Sequence, residues 1–199
     1  MRRALLAAAA AALFLATGCS TEPPPADPPA NAAQAADTVP AADAEHNAAD
    51  VMFLQMMITH DTQGLELTGL AADRTVSDEA KLLAAAIDAT QREEVKIMES
   101  WLTGWKEATT ASQDMSAHAS HGGLPATGPE QVEALRDASD ADFETTFLNL
   151  LTGHQNSAVE LTNLAGDGLN PQTRDLAKRI KESRGDQVAQ LLRLIGGAA

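Results

Sequence analysis

Thr59-His60-Asp61-Thr62-Gln63-Gly64-Leu65-Glu66-Leu67-Thr68-Gly69-Leu70-Ala71 returns later in the chain as Gly153-His154-Gln155-Asn156-Ser157-Ala158-Val159-Glu160-Leu161-Thr162-Asn163-Leu164-Ala165. His, Glu, Leu, Thr, Leu and Ala keep the same offsets in both copies. A pattern repeated within one chain marks a duplicated structural unit. Around the first copy, Phe53, Met56, Met57, His60, Gly64, Leu67, Leu70 and Ala71 recur at three- and four-residue steps. That stripe is the mark of an amphipathic helix. Two equivalent helical units are therefore expected, with His60 and His154 at matched places.

Outward from the repeat, the punctuation predicts four helices. The first covers about 47–72. The second starts after Thr75, with Asp78 completing a variant capping box, and runs to about 103–107. Its apolar face includes Leu83, Ile87, Val95, Met98, Trp101 and Leu102. A looser stretch from Ser112 to Gly128 follows, rich in Gly and Ser. Thr127 is predicted to cap the third helix, with Pro129 in its first turn, a break near Ser139 and its strongest part over Phe143 to Ala165. Asn170-Pro171 starts the fourth, which ends at Gly196-Gly197. Short links make each consecutive pair an antiparallel hairpin. The expected class is all-α: an up-down four-helix bundle built from two duplicated hairpins joined by a crossover. Tyrosine is absent and no alternating β-branched run appears, so no sheet is expected.

The N-terminus has a different character. Arg2 and Arg3 precede an apolar run from Ala4 to Ala16, and residues 1–18 read as a secretory signal peptide. Thr17-Gly18-Cys19 has the form of a bacterial lipobox, which predicts lipidation of Cys19 and a mature chain held on the extracytoplasmic face of the cell membrane. Residues 19–45 carry six prolines among Ala and Asp and read as a disordered tether; 46–197 form the bundle domain. Cys19 is the sole cysteine, so no intrachain disulfide and no thiolate metal site can form. With 28 acidic against 14 basic residues, the surface repels nucleic acid and attracts cations.

The chain resembles the DUF305 family over about residues 46–195. Phe53-Leu54-Gln55-Met56-Met57-Ile58-Thr59-His60-Asp61 is similar to that family's Phe-Leu-x-x-Met-Ile-x-His-His, with Asp61 in place of the second histidine. Gln91, Glu94, Val95, Met98, Trp101 and Leu102 match its Gln-x-x-Glu-Ile-x-x-Met-x-x-Trp-Leu pattern. In the second half the same pattern falls on His154-Gln155 and on Arg184, Gln187 and Leu191. The family's usual methionine after the histidines is Leu67 here, and Leu161 in the second half. The family's Met- and His-rich middle loop is thinned to Met115, His118 and His121. The resemblance implies a ferritin-like, often exported bundle that is associated with copper in some members.

The residues themselves offer candidate ligands. Met52, Met56 and His60 are four apart on one helix face, Met57 is three from His60, and Asp61 borders them. Thioether with imidazole suits copper, especially Cu(I); carboxylate with imidazole accepts Cu(II) or zinc. Glu94 and Met98 are four apart on the second helix, and His154 approaches from the third. The same methionine stripe is also what core packing alone produces. Glu66 and Glu160 lie elsewhere on the helix surface and suit solvent or a basic partner. His118-x-x-His121, with Met115 and with His46 and Asp114 able to join, is a second candidate site on the loop.

Enzyme signatures are missing. Di-iron bundles need Glu-x-x-His twice. Met57 and Leu151 stand three residues before the two histidines instead. No phosphate loop, His-Glu-x-x-His or Gly-x-Ser-x-Gly occurs. The expected function is non-catalytic metal binding, with copper as the ion, for sequestration or handling outside the membrane. The alternative is a metal-free scaffold or protein-interaction module of the envelope. A homodimer completing a half-built site fits the sequence equally well.

Overall fold

The structure, a computed structural model, describes residues 41–74, 76–111 and 127–197. The expected signal peptide, Cys19, most of the expected tether, Thr75, Met115, His118 and His121 lie outside the described residues. Among the described residues the fold is all-α, with α1 (Ala48–Ala72), α2 (Asp78–Trp105), a short α3 (Pro129–Arg136), α4 (Asp140–Leu161), a 3-10 turn (Thr162–Asp167) and α5 (Pro171–Gly197).

Local chemistry sets these limits. Asn47 caps α1 by accepting from the Ala49 and Asp50 N–H groups, and the Asp50 carboxylate accepts from the Asn47 N–H at 2.9 Å. Ser77 caps α2, two residues later than the Thr75 start expected from sequence; its Oγ accepts from the Ala80 N–H. The break near Ser139 is real, because Ser139 caps α4 through the Asp142 N–H. Thr127 does not cap α3: Gly128 holds that place without a side-chain bond. The second repeat copy leaves the α-helix at Thr162, short of the expected Ala165, where the Thr162 hydroxyl donates to the Val159 carbonyl at 2.6 Å and the chain tightens into 3-10 geometry.

α1 packs on α2 and α4 on α5, and the contacts α1–α4 and α2–α5 close the ring. Arg74, just past α1, donates to the Arg136 and Ala138 carbonyls beside the start of α4. Asn47, at the other end, donates to the Asp167 carbonyl beyond α4. Trp105 Nε1, at the end of α2, donates to the Asp43 carbonyl near the start of α1. Each hairpin is thus antiparallel, as expected. The crossover returns the chain to the other end, so α2 and α4 run the same way, which is the ferritin-like arrangement of a bundle with one long connection.

The interior is built in three storeys. One apolar cluster includes Leu67, Ile87, Leu135, Phe143, Phe147, Leu151 and Leu191. The other includes Phe53, Leu54, Met57, Met98, Trp101, Leu102 and Ile180. Between them along the helices lies a buried polar layer: His60 and Asp61 from α1, Gln91 and Glu94 from α2, His154 and Gln155 from α4, Arg184 and Gln187 from α5.

A single carboxylate ties the α4–α5 turn to α1. Fully buried Asp50 also accepts from the Leu169 N–H at 2.9 Å and the Asn170 N–H at 3.1 Å. Gly168 makes room for it, since a Cβ there would stand 2.3 Å from Asp50 Oδ1. Asn170 in turn caps α5 through the Thr173 N–H and donates to the Asp43 and Glu45 carbonyls, so the segment just before α1 is held against the bundle. Charged hydrogen bonds contribute about 1.5–3 kcal/mol each, and their buried donors are left bare when the acceptor goes. Asp50→Ala should therefore destabilise the bundle by about 3 kcal/mol or more in urea unfolding, with Asp50→Asn in between. A midpoint unchanged in Asp50→Ala would show that the turn is held by other means.

Candidate functional site

The polar layer is a set of duplicated pairs. His60-Asp61 corresponds to His154-Gln155, and Gln91 with Glu94 to Arg184 with Gln187. The two histidines meet at the bundle axis. Their rings stack with centroids 3.8 Å apart and planes inclined by 21°. His60 Nε2 lies 3.0 Å from the His154 carbonyl oxygen. A carbonyl only accepts, so Nε2 donates, an arrangement that leaves the lone pair of an imidazole on Nδ1. His154 Nδ1 pairs with Thr127 Oγ1 at 2.7 Å. Thr127, expected as a helix cap, instead orients the second histidine.

Two facts bring the rings together. Both histidines lie on the buried stripes of their helices, and Gly64 clears the space in front of His154. A Cβ at Gly64 would stand 2.7 Å from His154 Nε2 and 2.4 Å from Gln91 Oε1. Burial, followed by the neighbouring His60 and then Arg184, drives the His154 pKa down to about 2. That ring is neutral across the physiological range.

The carboxylates bond to a guanidinium rather than to the rings, although Asp61 Oδ1 lies 3.6 Å from His60 Nδ1. Arg184 is completely buried. Its Nη2 donates to Asp61 Oδ1 at 3.2 Å and also to Glu94 Oε2. Burial pushes the Glu94 pKa up to about 7; Arg184 opposes that rise and Asp61 adds to it. In the other half the matching amides, Gln155 Nε2 and Gln187 Oε1, hydrogen-bond directly. Several buried atoms have no hydrogen-bond partner among the described residues: His60 Nδ1, His154 Nε2, both amide atoms of Gln91, Asp61 Oδ2, Gln155 Oε1, and Nε and Nη1 of Arg184.

The expected ligands therefore separate. His60, His154, Asp61 and Glu94 share one layer, but among the described residues no three His, Cys, Asp or Glu side chains gather as a metal-binding group. Met57 and Met98 belong to the adjoining apolar cluster. Met56 is fully buried on the turn before His60. Glu66 pairs at the surface with Arg136 at 3.3 Å, and Glu160 is exposed. His46 is committed elsewhere, stacked on Trp105 with centroids 4.3 Å apart. Arg184 and Thr127 are the members that ligand spacing did not pick out. A signal for Arg184 exists: it falls on the stripe Leu176, Ile180, Arg184, Gln187, Leu191, where a charge needs a buried partner.

These shifts have opposite consequences for stability. The folded state keeps His154 neutral down to about pH 2, while the unfolded ring gains a proton near 6.5. Its contribution is present above 6.5 and is lost as pH falls, by about 1.4 kcal/mol per unit. For Glu94, whose folded pKa of about 7 exceeds the ordinary 4.5, the contribution is full below 4.5 and is lost as pH rises toward 7. His154→Asn keeps a polar partner for Thr127 and removes the ring's titration. The stability gap between wild type and His154→Asn should narrow steadily as pH falls from 6.5 to 4 in urea titrations. Parallel curves would mean that His154 is protonated within the fold.

The family model described as "Domain of unknown function (DUF305)" matches residues 50–195. No curated protein matches the chain. A DUF305 fragment from Deinococcus radiodurans superimposes with a TM-score of 0.66 at 24% identity, covering 79% of this chain and 99% of that one. A putative secreted DUF305 protein from Streptomyces coelicolor gives 0.68 at 24% identity, with 75% and 93% covered. CopM in the Cu(II)-bound form gives 0.62 at 24% identity, with 75% and 97% covered. The solved structures share this fold, and the match over residues 50–195 makes the chain a member of the DUF305 family.

Proposed function

We propose that this protein binds copper outside the cytoplasmic membrane and stores it or passes it on without catalysis, held at the membrane by lipid on Cys19. Family membership and the likeness to the copper-bound CopM fold support the ion. The observation that carries the reading is the state of the duplicated histidines. Among the described residues, His60 and His154 each keep one buried ring nitrogen, Nδ1 and Nε2 respectively, without a hydrogen-bond partner. A buried ring nitrogen with no hydrogen bond is costly, so a ligand there is favoured.

The donors fit one redox state of copper better than the other. Arg184 takes Asp61 and Glu94, the hard oxygen ligands. One turn before His60 on the same helix, the fully buried Met56 offers a thioether. Imidazole with thioether is a soft set that suits Cu(I). Stacked rings send their in-plane lone pairs side by side, so the two imidazoles do not converge on one ion in this arrangement. His60 and Met56 would hold it, with His154 packed on the face of His60 and its carbonyl fixing the His60 tautomer. Met115, His118 and His121, outside the described residues, add thioether and imidazole donors to the sequence that suit first capture.

A second reading, the metal-free scaffold, is favoured by the Arg184 network and the Gln155–Gln187 bond, which satisfy part of the layer with protein groups alone. Anaerobic Cu(I) titration of the purified chain against a competing chelator separates the two. Submicromolar binding at defined stoichiometry is expected, weakened about 10-fold or more by His60→Ala and by Met56→Leu. Binding no tighter than that of a peptide spanning residues 112–126 would sink the copper reading and favour the scaffold.

A further inference from the structure

We infer that Arg184 is a resident cation that bars divalent metal ions from the bundle core. The proposal deepens the copper reading by naming what sets its selectivity, and its zinc test stands whether or not Cu(I) binds.

The duplication shows what Arg184 replaced in the layer's design. Its counterpart in the first half is the neutral Gln91. The first half holds two carboxylates, Asp61 and Glu94; the second holds two amides, Gln155 and Gln187, bonded to each other. The counter-charge for the carboxylates thus comes from across the bundle axis. Without it, Asp61 and Glu94, which now share one Arg184 nitrogen, would be free to turn with His60 toward a common ion as oxygen, oxygen and nitrogen donors. His60 Nδ1 already lies 3.6 Å from Asp61 Oδ1. Such a set suits zinc or Cu(II).

Arg184 Nη2 occupies the place where an ion would touch both carboxylates. A guanidinium does not deprotonate in proteins, so it cannot yield by losing its charge. It is fully buried, and displacing it would leave a bare cation in the core. Access does not set the limit. A groove of about 490 Å³ between α2 and α5, lined by Thr90, Glu93, Ile97, Arg179 and Ser183, reaches Glu94 from solvent. The barrier is charge, and a neutral or singly charged guest near His60 meets less of it than a divalent one.

Zinc titration of the purified chain by calorimetry tests this. Wild type should show only weak sites, unchanged by Asp61→Asn. Arg184→Gln should gain one site per chain, at least 100-fold tighter than any in wild type, and zinc should raise its melting temperature. Adding Asp61→Asn to Arg184→Gln should abolish that gain. Two results would overturn the inference: a wild-type zinc site lost in Asp61→Asn, or an Arg184→Gln protein with native circular dichroism and no new site. Should Arg184→Gln fail to fold, the wild-type and Asp61→Asn titrations still decide, and zinc-dependent refolding of Arg184→Gln would support the site. Cu(I) affinity is read separately, so failure of the copper reading leaves these outcomes intact.

Discussion

The bundle depends on one buried guanidinium. Arg184 reaches from α5 across the axis to Asp61 on α1 and Glu94 on α2, and so ties three helices from both hairpins at one level. Burying a charge is expensive unless partners repay it, and breaking such a group typically costs 3–5 kcal/mol. That asymmetry fixes register. A rotation of α5 that removed Arg184 from its carboxylates would leave a bare cation and at least one bare anion in the same dry layer. Apolar clusters on either side would tolerate several packings; the polar layer between them tolerates few.

The same interaction makes the two halves unlike where their backbones are most alike. The histidines are retained in both and meet face to face. Around them the chemistry has diverged in a complementary way, with carboxylates in one hairpin, amides in the other, and the cation supplied by the amide side. A bundle of two first halves would gather four carboxylates at its centre; one of two second halves would gather two arginines. Only the mixed pair is balanced. The hairpins have become obligate partners within one chain, and the family's repeat is now a charge-matched heterodimer in covalent form.

Much of the fold was legible in the sequence because helix periodicity and caps are local signals. The four long helices, the break at Ser139, the Asn170-Pro171 start and the meeting of His60 with His154 all follow from spacing and duplication. The misread points involve partners distant in sequence. Thr127 sits where a cap would, yet its hydroxyl is drawn to His154, and Gly128 serves instead. Thr75 looked a better start than Ser77, but Ser77 gains a second anchor when its N–H and hydroxyl bond to Glu144 from α4. Met57 and Met98 share ligand spacing with Met56, and only the third dimension sends them to the apolar cluster. Arg184 was visible as a departure from the family pattern; its occupation of the carboxylates was not, because no local rule says which buried anion an arginine will find.

That occupation changes what the layer can do. In a bundle with free carboxylates beside histidine, hard and borderline divalent ions would compete for the site, and zinc would rival copper. Here the hard donors are spent on an internal cation, and His60 Nδ1 and the Met56 sulfur are what remain for a ligand. The acidic exterior concentrates cations of every kind without discriminating among them. On the proposed copper reading, discrimination would arise inside, where a fixed positive charge raises the cost of a second charge and a soft donor pair lowers the cost of a soft ion. The substitutions that seem to erode a metal site are, on this argument, the ones that would make it selective.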